Sequence, residues 1–249
     1  MIKFFRKIRY DLMDKNKTGK YLKYALGEII LVVIGILIAL SINNWNENQK
    51  SNNKSYNYLE RLNDDIEMSL KEVDYFIEDN ERKQKNSILV MDALESHELP
   101  AEQQENFSSY LRQYYQFQIV IQNFNTFNEM MSAGELGLIN NQQLRSAFAN
   151  LASTREFIME VNQSHHNAYK INNDLFQKHV RYQVNETDND STVINSIYDF
   201  ETMAEDRLFI NKISDQSYTW FLILNMYQDY KSKLNQVKDT IQLELKKYN

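Results

Sequence analysis

The sequence predicts an all-α protein: one N-terminal transmembrane helix followed by an elongated antiparallel bundle of long helices. Three observations predict it. An apolar run from Ile29 to Leu40 is flanked by Tyr21, Tyr24 and Trp45. Helix breakers are scarce, with five glycines and one proline, Pro100, in 249 residues. Apolar residues recur at helical spacing through the rest of the chain, and no strand-like alternation is sustained.

The span comes first. Residues 24–45 make about 33 Å of helix at ~1.5 Å per residue, which matches a hydrocarbon core of roughly 30 Å. Lys20, Tyr21, Lys23 and Tyr24 at one end and Trp45 at the other are the residue types that anchor at headgroup level. Residues 1–23 carry eight Lys/Arg against Asp11 and Asp14. The whole chain is −6, so once this arm (+6) and Glu28 (−1) are set aside the remainder is −11. Positive residues stay cytoplasmic, which puts the N-terminus inside and residues 46–249 outside. The absence of cysteine is compatible with an oxidising compartment, where disulfides are common but not obligatory. A cleaved signal peptide is the alternative, with Ala39-Leu40-Ser41 as its small-residue site. The long charged arm and long apolar core favour an uncleaved anchor.

Ile2, Phe5, Ile8 and Leu12 lie opposite Lys3, Arg6 and Lys7. They make 1–23 a basic arm with an amphipathic segment suited to an anionic lipid surface, although Arg9 falls within the apolar arc. Glu28 is the one charge in the span. Either it reaches the nearby inner headgroups, or it pairs with a polar group on a partner helix. Gly27, Gly35 and Ala39 form a candidate small-residue packing seam. Glu28, Gly35 and Ala39 are therefore the candidate intramembrane contacts, with a protein partner or a second copy as the other side.

Residues 46–249 are enough for one domain with its own core. A first helix over about 52–98 places Leu59, Leu62, Ile66, Leu70, Val73, Ile77, Ile88 and Met91 inward, in steps of eleven. Glu78 to Ser87 are ten polar residues in a row, expected to be solvated, frayed or bent. Pro100 ends this helix. Ala101–Asn123 forms an aromatic-rich second helix. Thr126 to Glu129 has capping-box form, and a short helix then ends near Gly134. A third long helix runs from about Asn141 to Tyr182, with Leu144, Phe148, Leu151, Ile158, Val161, Ala168 and Leu175 inward. Residues 185–191 are an acidic loop. The last helix covers about 203–247. In it Trp220, Tyr227, Leu234, Ile241 and Tyr248 are seven apart, interleaved with Ile223, Tyr230 and Val237. This heptad is either a coiled-coil seam or the inner face of a bundle helix.

The stretches Phe4–Arg9, Lys20–Leu40, Asn43–Glu47 and Thr126–Asn140 with Leu144-Arg145 resemble a large family of uncharacterised single-pass proteins from Bacteroidota. The resemblance implies an inner-membrane location and a periplasmic domain, and it implies no activity.

The chain offers little chemistry. His165 and His179 lie ~21 Å apart along one helix, too far to share an ion, and no histidine pair has the four-residue spacing of helical zinc sites. His165 is expected within the core. Asp188, Asp190 and Asp199 match three positions of a calcium loop, but Val193 stands where that loop needs glycine. No phosphate loop or nucleophile elbow is present, and the −11 charge of the outer part excludes nucleic acid there. No cofactor, metal or catalytic residue is expected. The sequence points to a membrane-anchored interaction protein, a scaffold or accessory subunit of an envelope complex. The alternative is a single-pass sensor with a ligand-binding helical ectodomain that signals through a partner. A pocket near Tyr110 to Phe127 would favour the sensor.

Overall fold

The computed structural model describes residues 18–114, 116, 124–171, 173–186 and 192–248. The chain divides into two compact units, residues 1–56 and 57–249. Helix α1 (Thr18–Ser96) runs through that division. In the first unit the helix carries the apolar run Ile29 to Leu40 with its side chains exposed, followed by a largely polar stretch over 43–55. The expected arm of 1–13 lies outside the described residues.

In the second unit α1 is followed by α2 (Gln104–Gln113), α3 (Asn125–Ser132), α4 (Gln142–Ile171), α5 (Asp174–His179), strands β1 (Val180–Glu186) and β2 (Thr192–Tyr198), α6 (Phe200–Glu205) and α7 (Arg207–Leu245). The fold is helical as expected, with one small antiparallel hairpin in which Val180 faces Tyr198 and Val184 faces Ile194. That hairpin corrects two expectations. The third helix ends at Ile171 rather than Tyr182. Residues 180–186 alternate Val180, Tyr182, Val184 with Arg181, Gln183, Asn185, a period of two that fits a strand. The Tyr182 hydroxyl donates to the Leu111 carbonyl (2.8 Å), and Tyr198 shares a hydrogen bond with Ser108 (3.0 Å), so the hairpin is fastened to α2.

The core is built from α1, α4 and α7. Contacts between α1 and α7 step in opposite directions along the two helices: Glu67 with Lys238, Asp74 with Lys231, Phe76 with Tyr227, Lys83 over Trp220, Ser87 with Ser217. Asn162 with Tyr227 and Tyr169 with Thr219 do the same for α4 and α7. α7 is thus antiparallel to both. In α7 the buried positions include Ile213, Trp220, Tyr227, Leu234, Ile241 and Gln216, Ile223, Tyr230, Val237, Glu244. The heptad of the last helix is therefore the inner face of a bundle helix.

The α1 stripe differs from the eleven-residue reading. Its buried positions include Leu59, Ile66, Val73, Asn80, Ser87, Leu94 and Leu62, Ser69, Phe76, Lys83, Val90, two series of strict seven-residue steps, with Tyr58, Asp65, Asp79, Asn86 and Ala93 beside them. Ile88 is exposed and Met91 only partly covered, while Val90, Ala93 and Leu94 are buried. On α4, likewise, Asn162, Tyr169 and Phe176 just beyond it are buried in place of Val161, Ala168 and Leu175. In both helices a polar residue occupies an inward position, and a reading by apolarity steps off the stripe there. The polar run Glu78 to Ser87 is accordingly neither frayed nor solvated all round. It is helical and turns Asp79, Asn80, Lys83, Asn86 and Ser87 inward.

The remaining ends also have local causes. α1 stops at Ser96 because His97 is left-handed (φ 56°), with the Glu98 N–H donating back to the Ala93 carbonyl. After α3, Gly134 (φ 69°) takes the same conformation. The Gly134 N–H reaches Met131 and the Glu135 N–H reaches Met130, the paired bonds of a Schellman motif. The last helix is two: Asp206 breaks it and caps α7 through the N–H groups of Leu208 (3.0 Å) and Phe209 (3.2 Å).

Candidate functional site

Among the described residues one helix, near the N-terminus, is long and apolar enough to cross a membrane. Leu26 to Leu40 expose their apolar side chains, as does Trp45. At 3.6 residues per turn, Glu28, Gly35 and Ala39 fall within about 40° of one another around the helix axis. Gly35 and Ala39 are exposed and Glu28 is partly covered; a Cβ at Gly27 or Gly35 would meet nothing within 4 Å. The three candidates therefore share one narrow face, and Gly35 sits there in open space. Among the anchors, Lys20, Tyr21, Lys23 and Tyr24 occupy the first turns of α1, with Lys23 exposed.

The second unit carries an unusual core. One apolar cluster gathers residues from Tyr58 to Phe76, Phe124 to Ile158 and Trp220 to Ile241. Another gathers Val90 to Tyr114 and Tyr169 to Ile213. Between them lies a buried polar layer. Lys83 and Asp79 form an ion pair at 2.7 Å with side chains 4% and 3% exposed. The Lys83 ammonium also donates to the Gln116 carbonyl (2.7 Å) and sits 4.9 Å from the centre of the Trp220 ring. Burial pulls its pKa down, opposed by the Asp79 carboxylate. Arg82 adds a second cation to Asp79. Around this centre Asn80 donates to the Phe76 carbonyl, Ser87 bonds Ser217, and Asn162 donates to the Tyr227 hydroxyl. Gln216 is fully buried, and neither end of its amide has a hydrogen-bond partner among the described residues. Polar residues at inward heptad positions cost stability and specify pairing. The sequence showed these residue types but not that they meet.

A second constellation holds the α3 segment against α1. The Asp65 carboxylate accepts from the backbone N–H of Thr126 (2.9 Å). Arg61 makes a two-pronged ion pair with Glu129, and the Tyr58 hydroxyl donates to Glu135 (2.6 Å). The Tyr58 phenol is pushed up to about 12, chiefly by its hydrogen bond to Glu135, with burial and the nearby carboxylates adding. This replaces the expected capping box. The helix starts after Phe124 with no side-chain cap, and the anion at its first turn comes from another helix.

Phe107, Tyr110, Leu111, Tyr114, Phe124 and Phe127 are buried in packed cores, with Tyr114 stacked on Phe176 and Phe127 on Phe148. The described flanks of the region proposed for a sensor pocket are thus filled, and 117–123 lie outside the described residues. His165 is half-buried, and burial lowers its pKa. His179 is beyond α4, at the end of α5, where it bonds Asp206 (2.8 Å) beside Lys178 (2.7 Å). Those two groups hold the Asp206 carboxylate well below its usual range. Asp188 and Asp190 lie outside the described residues, and Asp199 caps α6. Among the described residues no three His, Cys, Asp or Glu gather as a metal site.

A helical bundle preceded by a helix able to span a membrane, built around a polar waist, defines a structural class without a defined chemistry. The chain belongs to a family of unknown function, DUF6090, whose model matches residues 28–174. That match takes in Glu28, the rest of the apolar helix and both sides of the Tyr58–Arg61–Asp65 contact with α3. No curated protein and no solved structure matches the chain.

Proposed function

We propose that the protein is a single-pass, membrane-anchored interaction protein, a scaffold or accessory subunit of a cell-envelope complex, without catalytic activity of its own. In this reading the basic N-terminal arm is cytoplasmic, residues 24–45 cross the inner membrane, and residues 46–249 form a periplasmic bundle. The observation that carries it is the narrow face of Glu28, Gly35 and Ala39 on an otherwise apolar, exposed helix. Small residues let helices approach closely in lipid, and a carboxylate there gains most from a partner's polar group. The charge asymmetry across the helix supports the orientation.

The test is crosslinking in native membranes, purification through a C-terminal tag, and identification of what is retained. A reproducible, stoichiometric second protein supports an accessory subunit, and its role defines the function. Recovery of this chain alone favours the second reading, a ligand-binding ectodomain that signals through transient partners. That reading draws on an open groove of about 330 Å³ between α4 and α7, lined by Gln143, Asn150, Lys233, Gln236 and Thr240. A C-terminal reporter active only in the cytoplasm would overturn the orientation.

A further inference from the structure

We infer that the buried polar layer divides residues 57–249 into two cooperative units, so that the half containing α2, α5, the hairpin and α6 opens while the other half stays folded. Cooperativity in a bundle comes from continuous apolar contact, and sub-global opening follows its interruptions. Here the interruption runs through the long helices over successive turns. On α1 it spans Asp79 to Ser87, on α7 it centres on Gln216 beside Ser217, and on α4 it includes Asn162, bonded to Tyr227. The apolar clusters on either side share no residue. The hydrogen bonds of the layer keep the helices in register, while the unpartnered Gln216 amide adds a cost to keeping this level closed.

The half that opens contains α2, α5, the hairpin and α6, all short elements. Toward its Glu186–Thr192 end the hairpin presents Val184 and Ile194, both exposed, and it is attached to α2 by hydrogen bonds of Tyr182 to Leu111, Ser196 to Ser108 and Ser108 with Tyr198, and by the Tyr198 ring against Phe107. The other half is closed by Leu62, Ile66, Phe148, Leu234 and Ile241, all fully buried. Opening the first therefore leaves the second's apolar contacts intact. The layer is a conformational device: a change at the hairpin end is absorbed at Lys83, Trp220 and Gln216 without unfolding the whole.

Native-state hydrogen exchange on the full chain in lipid nanodiscs tests this. Amides of α2, β1, β2 and the first turns of α7 are expected to exchange at least about tenfold faster than those of α7 from Ile223 to Ile241, as one group. In an Asp79→Leu, Lys83→Met, Gln216→Leu variant, which makes the layer apolar, the two groups are expected to converge. Should that variant fail to fold, Gln216→Leu alone is expected to narrow the gap by at least about threefold. A single exchange class in the wild type overturns the inference. So does a gap that the substitutions leave unchanged, since the boundary would then lie elsewhere.

Discussion

Asp65→Ala isolates the contact that starts α3. In the folded protein the Asp65 carboxylate, largely buried, accepts from the Thr126 N–H at 2.9 Å, the second residue of the helix. Its removal leaves a buried backbone donor without that acceptor, at roughly 1–3 kcal/mol. It also takes a negative charge from a helix N-terminus, worth about 0.3–1 kcal/mol. A loss of about 2 kcal/mol is expected, or ~4–8 °C in Tm for a domain of this size. Asp65→Asn keeps an acceptor without the charge and should lose about half as much. Urea unfolding followed by circular dichroism measures the loss, and amide exchange of residues 125–129 locates it. An Asp65→Ala protein within about 0.5 kcal/mol of wild type, with unchanged exchange in α3, would refute the reasoning. The helix would then have its cap from Thr126 and Glu129 after all.

Other perturbations read other parts of the molecule. His97→Gly relieves a left-handed residue at the end of α1 and should raise the urea midpoint by up to about 1 kcal/mol of stability; a loss would show that the imidazole itself holds the turn. The Asp206 carboxylate is depressed in the folded state by Lys178 and His179, so its stabilisation is complete above the ordinary carboxylate pKa near ~4 and drains away as pH falls below it. Asp206→Asn should flatten that part of an acid-unfolding curve, and an unchanged acid limb would count against the linkage. Gly35→Leu should weaken self- or partner association in a two-hybrid assay for membrane helices, and unchanged association would remove the packing seam. Glu28→Gln with partner recovery intact would remove the reading of Glu28 as a partner contact.

The parts that could be read directly are those governed by local rules. An apolar helix flanked by basic and aromatic residues carries its own signature, because the bilayer as a solvent acts on composition and length. Gly134 announces the end of α3, because a left-handed residue after a helix favours glycine. The heptad of α7 was visible because nearly all its inward residues are apolar. The heptad of α1 was hidden because Ser69, Asn80, Lys83 and Ser87 hold four of its inward positions. A lysine is acceptable there only because Asp79, the Gln116 carbonyl and the Trp220 ring surround it. Nothing in residues 78–87 announces a partner well over a hundred residues away in the chain. The same holds for Asp65 and Thr126, where a donor and an acceptor from different helices replaced a local cap, and for the hairpin, whose short alternation gained its meaning from α2. Periodicity and composition set the helices, the stretch long and apolar enough to span a membrane, and the charge asymmetry. The tertiary structure decided which polar residues lie inside, because the desolvation of a charge or an amide is tolerable only where the fold supplies what it bonds to.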